Sequence, residues 1–204
     1  MDQREISKTV RELISTDALP MTARLLIKHH PKLPTFYLLP KIHKFNNPGR
    51  PIVSTCSCPT EHISEYLDAV LQPLVQSLPT YIKDSTHTLT LIEDINQNPN
   101  FEPKYLFTMG VTSLYTCIPH SDGLKALKHF LNKCAILDPP TDTLTGLAEL
   151  VLNKNLFSFC GEVFSQMSGI ARGTKMGPSY ACLFMGHLEH TLLQQYKKPV
   201  PEIY

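Results

Sequence analysis

Tyr105-Leu-Phe-Thr-Met-Gly110-Val-Thr-Ser-Leu-Tyr115-Thr-Cys-Ile-Pro-His120 is the stretch on which the reading of this chain turns. Residues 105–109 have the composition of an apolar strand. They run into a turn at Gly110 and then into Ser113-Leu-Tyr115 and Pro119. Ser121 reads as the cap of a helix that uses Leu124, Leu127 and Leu131. The stretch is followed by apolar helical spacing at Leu144, Leu147, Ala148 and Val151, and then by a β-hairpin over 156–166 turning at Cys160-Gly161-Glu162. Pro178 opens a last helix, with Ala181, Phe184, Met185, Leu188 and Leu192 expected inward.

Upstream, Ile6, Val10, Leu13 and Ile14 mark an amphipathic helix over 3–15. A short helix is expected at about 22–30 between prolines. Runs 36–43 and 50–54 flank the turn Asn46-Asn-Pro-Gly49 and read as a strand pair. Ile63, Leu67, Val70, Leu71 and Leu74 line a helix from Thr60 that Pro73 should kink. Ser85 reads as the cap of another, with Leu89, Ile92 and Ile95 inward. Helices and strands mix without a βαβα rhythm, which predicts an α+β fold.

With 204 residues, 42% hydrophobic and 18% charged, the composition is that of a globular chain. No run of about 18 apolar residues occurs, so no transmembrane helix and no membrane partner are expected. The polar start Met1-Asp-Gln-Arg-Glu argues against a signal peptide, leaving an intracellular setting, nuclear or cytoplasmic, as the default. The six cysteines include no Cys-x-x-Cys pair, and Cys56 and Cys58 read as reduced thiols. His29, His30 and His43 lack acids or thiols at ligand spacing and read as surface residues.

The net charge is +1, yet from Ala18 to Thr60 there is no acid, while Arg24, Lys28, Lys32, Lys41, Lys44 and Arg50 all fall there. Such a stretch forms a phosphate-binding field, or a solvated surface whose acids come from elsewhere in space. By composition alone the two are even.

Four motifs in order, Phe36-Tyr-Leu-Leu-Pro-Lys-Ile-His-Lys44, Gly49-Arg-Pro-Ile-Val-Ser54, Val111-Thr-Ser-Leu-Tyr115 and Gly173-Thr-Lys-Met-Gly-Pro-Ser-Tyr-Ala181, closely resemble the reverse transcriptase of Penelope-like retroelements. The resemblance spans roughly 33–190 and implies an incomplete right-hand polymerase. An N-terminal helical segment (1–32) would precede fingers (33–104) and a truncated palm (105–204). It implies binding of RNA or an RNA/DNA hybrid, and an oligomer or partner covering an open palm edge.

The family's first palm strand ends in an aspartate that holds the catalytic magnesium ions; Gly110 stands there instead. A later Asp-Asp pair would fall beyond Tyr204, and no aspartate follows Asp142. Asp122 suits a helix start better than a metal ligand. Two-metal phosphoryl transfer needs those carboxylates, so no catalytic residue and no cofactor are expected, magnesium being the ion of active relatives. By the same resemblance Arg50 and Lys41 grip the incoming triphosphate, Tyr115 is the gate against a ribose 2′-hydroxyl, and Gly173, Gly177 and Pro178 form the template and base-pair loop. From the residues alone, Arg50 would as well stabilise its turn and Tyr115 would be a core tyrosine. Arg172 departs from the uncharged residue usual before the loop's first glycine, adding a phosphate contact or blocking the base pocket.

Overall fold

A computed structural model describes residues 3–99, 108–134 and 138–195. The chain is a mixed α+β fold. In order it contains α1 (Gln3–Ser15), a 3₁₀ helix (Met21–Leu26), β1 (Thr35–Pro40), β2 (Gly49–Ser54), α2 (Glu61–Gln76), α3 (Ser85–Asn96), the short α4 (Leu114–Cys117), α5 (His120–Leu131), α6 (Thr141–Asn153), β3 (Leu156–Phe159), β4 (Glu162–Ser165) and α7 (Gly177–Gln195).

The helical core follows from the apolar spacing. Ile63, Leu67 and Leu71 of α2 meet Leu127 and Leu131 of α5, Leu144 and Leu147 of α6, and Tyr180 of α7, each fully buried. Ile6 and Val10 of α1 join the same cluster, so the N-terminal helix shares one core with the rest. Gln3 Nε2 donates to the Lys28 carbonyl at 2.8 Å and Lys154 pairs with Glu5 at 2.7 Å, both fastening the first turn of α1. α2 continues through Pro73 to Gln76.

The sheet has the order β2-β1-β3-β4. β1 and β2 are antiparallel, Phe36 opposite Val53 and Leu39 opposite Arg50; β3 lies parallel to β1, and β3–β4 is a hairpin. Cys160 and Gly161, with φ of 50° and 83°, supply the two left-handed residues its tight turn requires. Pro51 is tolerated because β2 is an edge strand. One sheet thus joins strands from residues 35–54 with strands from residues 156–165. Phe36 stacks on Phe157 at 5.6 Å and meets Phe159 edge-on at 5.1 Å, sealing the parallel junction.

Several local expectations are corrected. Asp84, not Ser85, caps α3, its carboxylate accepting from the His87 N–H at 2.9 Å. α3 buries none of its residues, and Leu89 and Ile92 are exposed, because no element covers its apolar face among the described residues. α5 starts at His120 after Pro119, whose φ of −63° already fits a helix, and Ser121 lies inside it. Residues 22–30 form only the 3₁₀ turn 21–26, since Ile27 is already extended. On α7 the inward residues are Ser179, Tyr180, Ala181 and Leu183, whereas Leu188 and Leu192 are exposed. The strand expected at 105–109 lies largely outside the described residues; Thr108, Met109 and Gly110 have no regular structure.

Candidate nucleic-acid interface

The loop before α7 is wedged between the outer edge of β2 and α4. On one side the Val53 N–H donates to the Arg172 carbonyl at 3.0 Å and the Thr55 hydroxyl to the Gly173 carbonyl at 2.6 Å. These bonds use the free edge of β2 that would otherwise face water. Gly173 has φ of +128°, and a Cβ there would overlap the Val53 carbonyl oxygen, so only glycine fits.

On the other side the Gly169 N–H donates to the Ile118 carbonyl at 3.0 Å and the Ile170 N–H to Tyr115 at 2.6 Å. His120 Nε2–H donates to the Gly169 carbonyl at 2.7 Å. Gly169 is left-handed at 72°, with the backbone of Tyr115 and Thr116 packed where a side chain would go. The base of α7 is tied inward. The Met176 N–H donates to Ser64 Oγ at 2.9 Å, and buried Ser179 donates to Asp68 at 2.5 Å while accepting from Gln72 at 3.0 Å.

The wedge brings Tyr115, Arg172, Gly173 and Gly177 together, with Pro178 in the first turn of α7. The Arg172 guanidinium lies over the Tyr115 ring, 5.0 Å from its centroid, and its buried Nε has no hydrogen-bond partner. Tyr115 packs on the edge of the core, half-buried, so it is both a core-edge tyrosine and part of this surface. Arg172, Ile170 and Val53, with Phe36, Phe157 and Gln166, line a cleft of about 200 Å³. A larger hollow of about 490 Å³ runs along α1, away from these motifs.

Lys41 and Arg50 stand apart from this group. Strand alternation sends Pro51 and Val53 to the cleft and Arg50 to the opposite face of β2, where it is exposed. Lys41 sits at the base of the hairpin loop, its N–H donating to the Pro48 carbonyl at 3.0 Å. Gly110 lies in the exposed segment before α4, and a Cβ there would meet nothing within 4 Å. Thr55, Ser64, Asp68 and His120 carry much of the geometry, yet sequence reading passed them over. The only signal was a polar Ser64 and Asp68 amid the apolar spacing of α2.

Cys56, Cys58 and the other cysteines are free thiols. Among the described residues no three His, Cys, Asp or Glu side chains gather into a metal-binding group. No helix among them is long and apolar enough to cross a membrane. Neither a protein-family model nor a curated protein matches the chain.

Proposed function

We propose that this chain is a reverse transcriptase-like domain of the Penelope type that lacks the first catalytic carboxylate of a polymerase. The observation that carries the reading is convergence. Gly49–Ser54, Val111–Cys117 and the 169–181 stretch are far apart in sequence, and they meet around Val53, Tyr115, Arg172 and Gly173. Those are the segments whose order suggested a polymerase. Gly110 supplies no carboxylate at the first magnesium position, and metal clamps contribute several kcal/mol to such a transition state. Primer extension on an RNA template with magnesium should therefore stay at background; templated extension above background would overturn the loss of chemistry.

A second reading, a retained module for RNA or an RNA/DNA hybrid, is favoured by the charge of the β1–β2 hairpin. Among the described residues no ion pair neutralises Lys41, Lys44 or Arg50, whereas Lys28 is tied to Glu61 at 2.7 Å. Three phosphate contacts give a log–log salt slope of about −2 on a single strand. Anisotropy of labelled RNA across salt concentrations tests this, and affinity that is absent or indifferent to salt would overturn it.

A further inference from the structure

The β1–β2 hairpin ends in a loop that is fixed and yet displays its largest apolar side chains to water. The Lys41 N–H closes the loop base on the Pro48 carbonyl at 3.0 Å. Inside it, the Lys44 N–H donates to the Lys41 carbonyl and the Asn47 N–H to the Lys44 carbonyl, each at 3.0 Å. Asn46 and Asn47 take φ of 60° and 43°, a left-handed conformation asparagine tolerates well. Two consecutive turns thereby share Lys44 and place Phe45 inside the second, 92% exposed, and Ile42 inside the first, 83% exposed.

A phenylalanine on a tethered tip forfeits the burial that such a side chain normally contributes. The hairpin that carries it is cationic, with Lys41, His43 and Lys44 in the loop and Arg50 on β2, in a stretch that holds no acid from Ala18 to Thr60. An exposed π-face on a hairpin that carries three cations outside any ion pair among the described residues suits an unpaired base and its flanking phosphates.

We propose that Phe45 is a base-stacking platform for single-stranded nucleic acid, with Lys41, Lys44 and Arg50 holding the flanking phosphates. The assignment rests on the nucleic-acid-binding reading above and adds the residue that touches the base. It also explains the backbone. Stacking geometry needs a ring whose position is set before binding, and the two closed turns set it.

The chain contains no tryptophan, so Phe45→Trp introduces a single indole, excited selectively beyond the absorption of the eight tyrosines. Titrating the 204-residue variant with a uridine RNA strand, fluorescein-labelled for anisotropy and unlabelled for indole quenching, reads binding and stacking separately. Quenching should track the anisotropy rise. Phe45→Ala and Phe45→Leu should each weaken binding about tenfold, the scale of one lost base stack. Unchanged circular dichroism should show that both variants fold. Binding without quenching, or wild-type affinity in Phe45→Ala, overturns the stacking role and leaves the binding reading standing. No binding by any variant ends both. An indole blue shift on phosphatidylserine vesicles with no response to RNA would make the loop a lipid-inserting tip and overturn the assignment.

Discussion

The Arg172 guanidinium lies over the Tyr115 ring, with 5.0 Å from its carbon to the ring centroid, while its Nε is buried without a hydrogen-bond partner. The ring face is the main interaction the structure offers this guanidinium, since the Arg172 carbonyl that holds Val53 belongs to the backbone. A desolvated cation–π contact contributes about 1–2 kcal/mol. Urea unfolding of Arg172→Ala, Tyr115→Leu and the double variant should give a coupling of about 1 kcal/mol. Additive losses would mean that the two residues merely sit side by side.

The two glycines that frame the motifs should respond in opposite ways. At Gly173 a methyl group meets the Val53 carbonyl and φ is +128°, so Gly173→Ala must break the edge contact with β2 or strain the loop. A left-handed alanine costs about 1–2 kcal/mol and the overlap adds about 1–3 kcal/mol. At Gly110 the space is open, and Gly110→Asp should change stability by less than about 0.5 kcal/mol. Thermal melts of both variants check this. A harmless Gly173→Ala would mean that the loop does not dock on β2 in solution.

Sequence periodicity was a good guide wherever a segment buries a complete face. Leu144, Leu147, Ala148 and Val151 of α6 are all buried, as their spacing requires. The Asn-Pro-Gly turn likewise delivered the β1–β2 hairpin. It failed where burial depends on a partner, because an apolar stripe states what a helix prefers and says nothing of whether a neighbour exists. Leu89 and Ile92 on α3, and Leu188 and Leu192 on α7, show the difference. The site was half legible. Gly173 and Gly177 stood out as motif glycines, but docking on Val53 and Thr55 leaves no local pattern. Arg50 was grouped with Tyr115 from motif order, and only the strand register separates their faces.

Among the described helices longer than a single turn, α3 should be the least stable. It buries no residue, and at its N-terminus it is held by the Asp84 carboxylate cap, with the Lys83 N–H donating back to His87 Nδ1 at 3.2 Å. Local opening then costs little, since stability there rests on propensity and capping rather than packing. Amide exchange over 85–96 should run orders of magnitude faster than over α5 and α6. Asp84→Ala should speed it by a further factor of about 5, the equivalent of ~1 kcal/mol of lost cap. Protection of α3 equal to that of the core would instead reveal a partner seated on Leu89 and Ile92.

Alkaline pH should unfold this protein through groups that burial keeps protonated. Burial pushes the Tyr180 phenol well above its ordinary range, with the nearby Asp122 adding to the effect, and its hydroxyl has no hydrogen-bond partner. Burial likewise raises the Cys58 thiol, although its bond to Thr60 pulls the other way. In the unfolded chain these groups ionise near pH 9–10, so above that range the unfolded state binds fewer protons than the native one. Stability is therefore fully present below about pH 7.5 and falls as pH rises through about 9 and beyond. Tyr180→Phe removes the phenol's share of that slope. At neutral pH it should leave stability unchanged or raise it by up to about 1 kcal/mol, because the lost hydroxyl had no partner. Urea midpoints measured from pH 7 to about pH 10.5 distinguish the variants. An alkaline slope identical in wild type and Tyr180→Phe would mean that the phenol is solvated, and that the packing of α7 against Gly123 is looser than the structure has it.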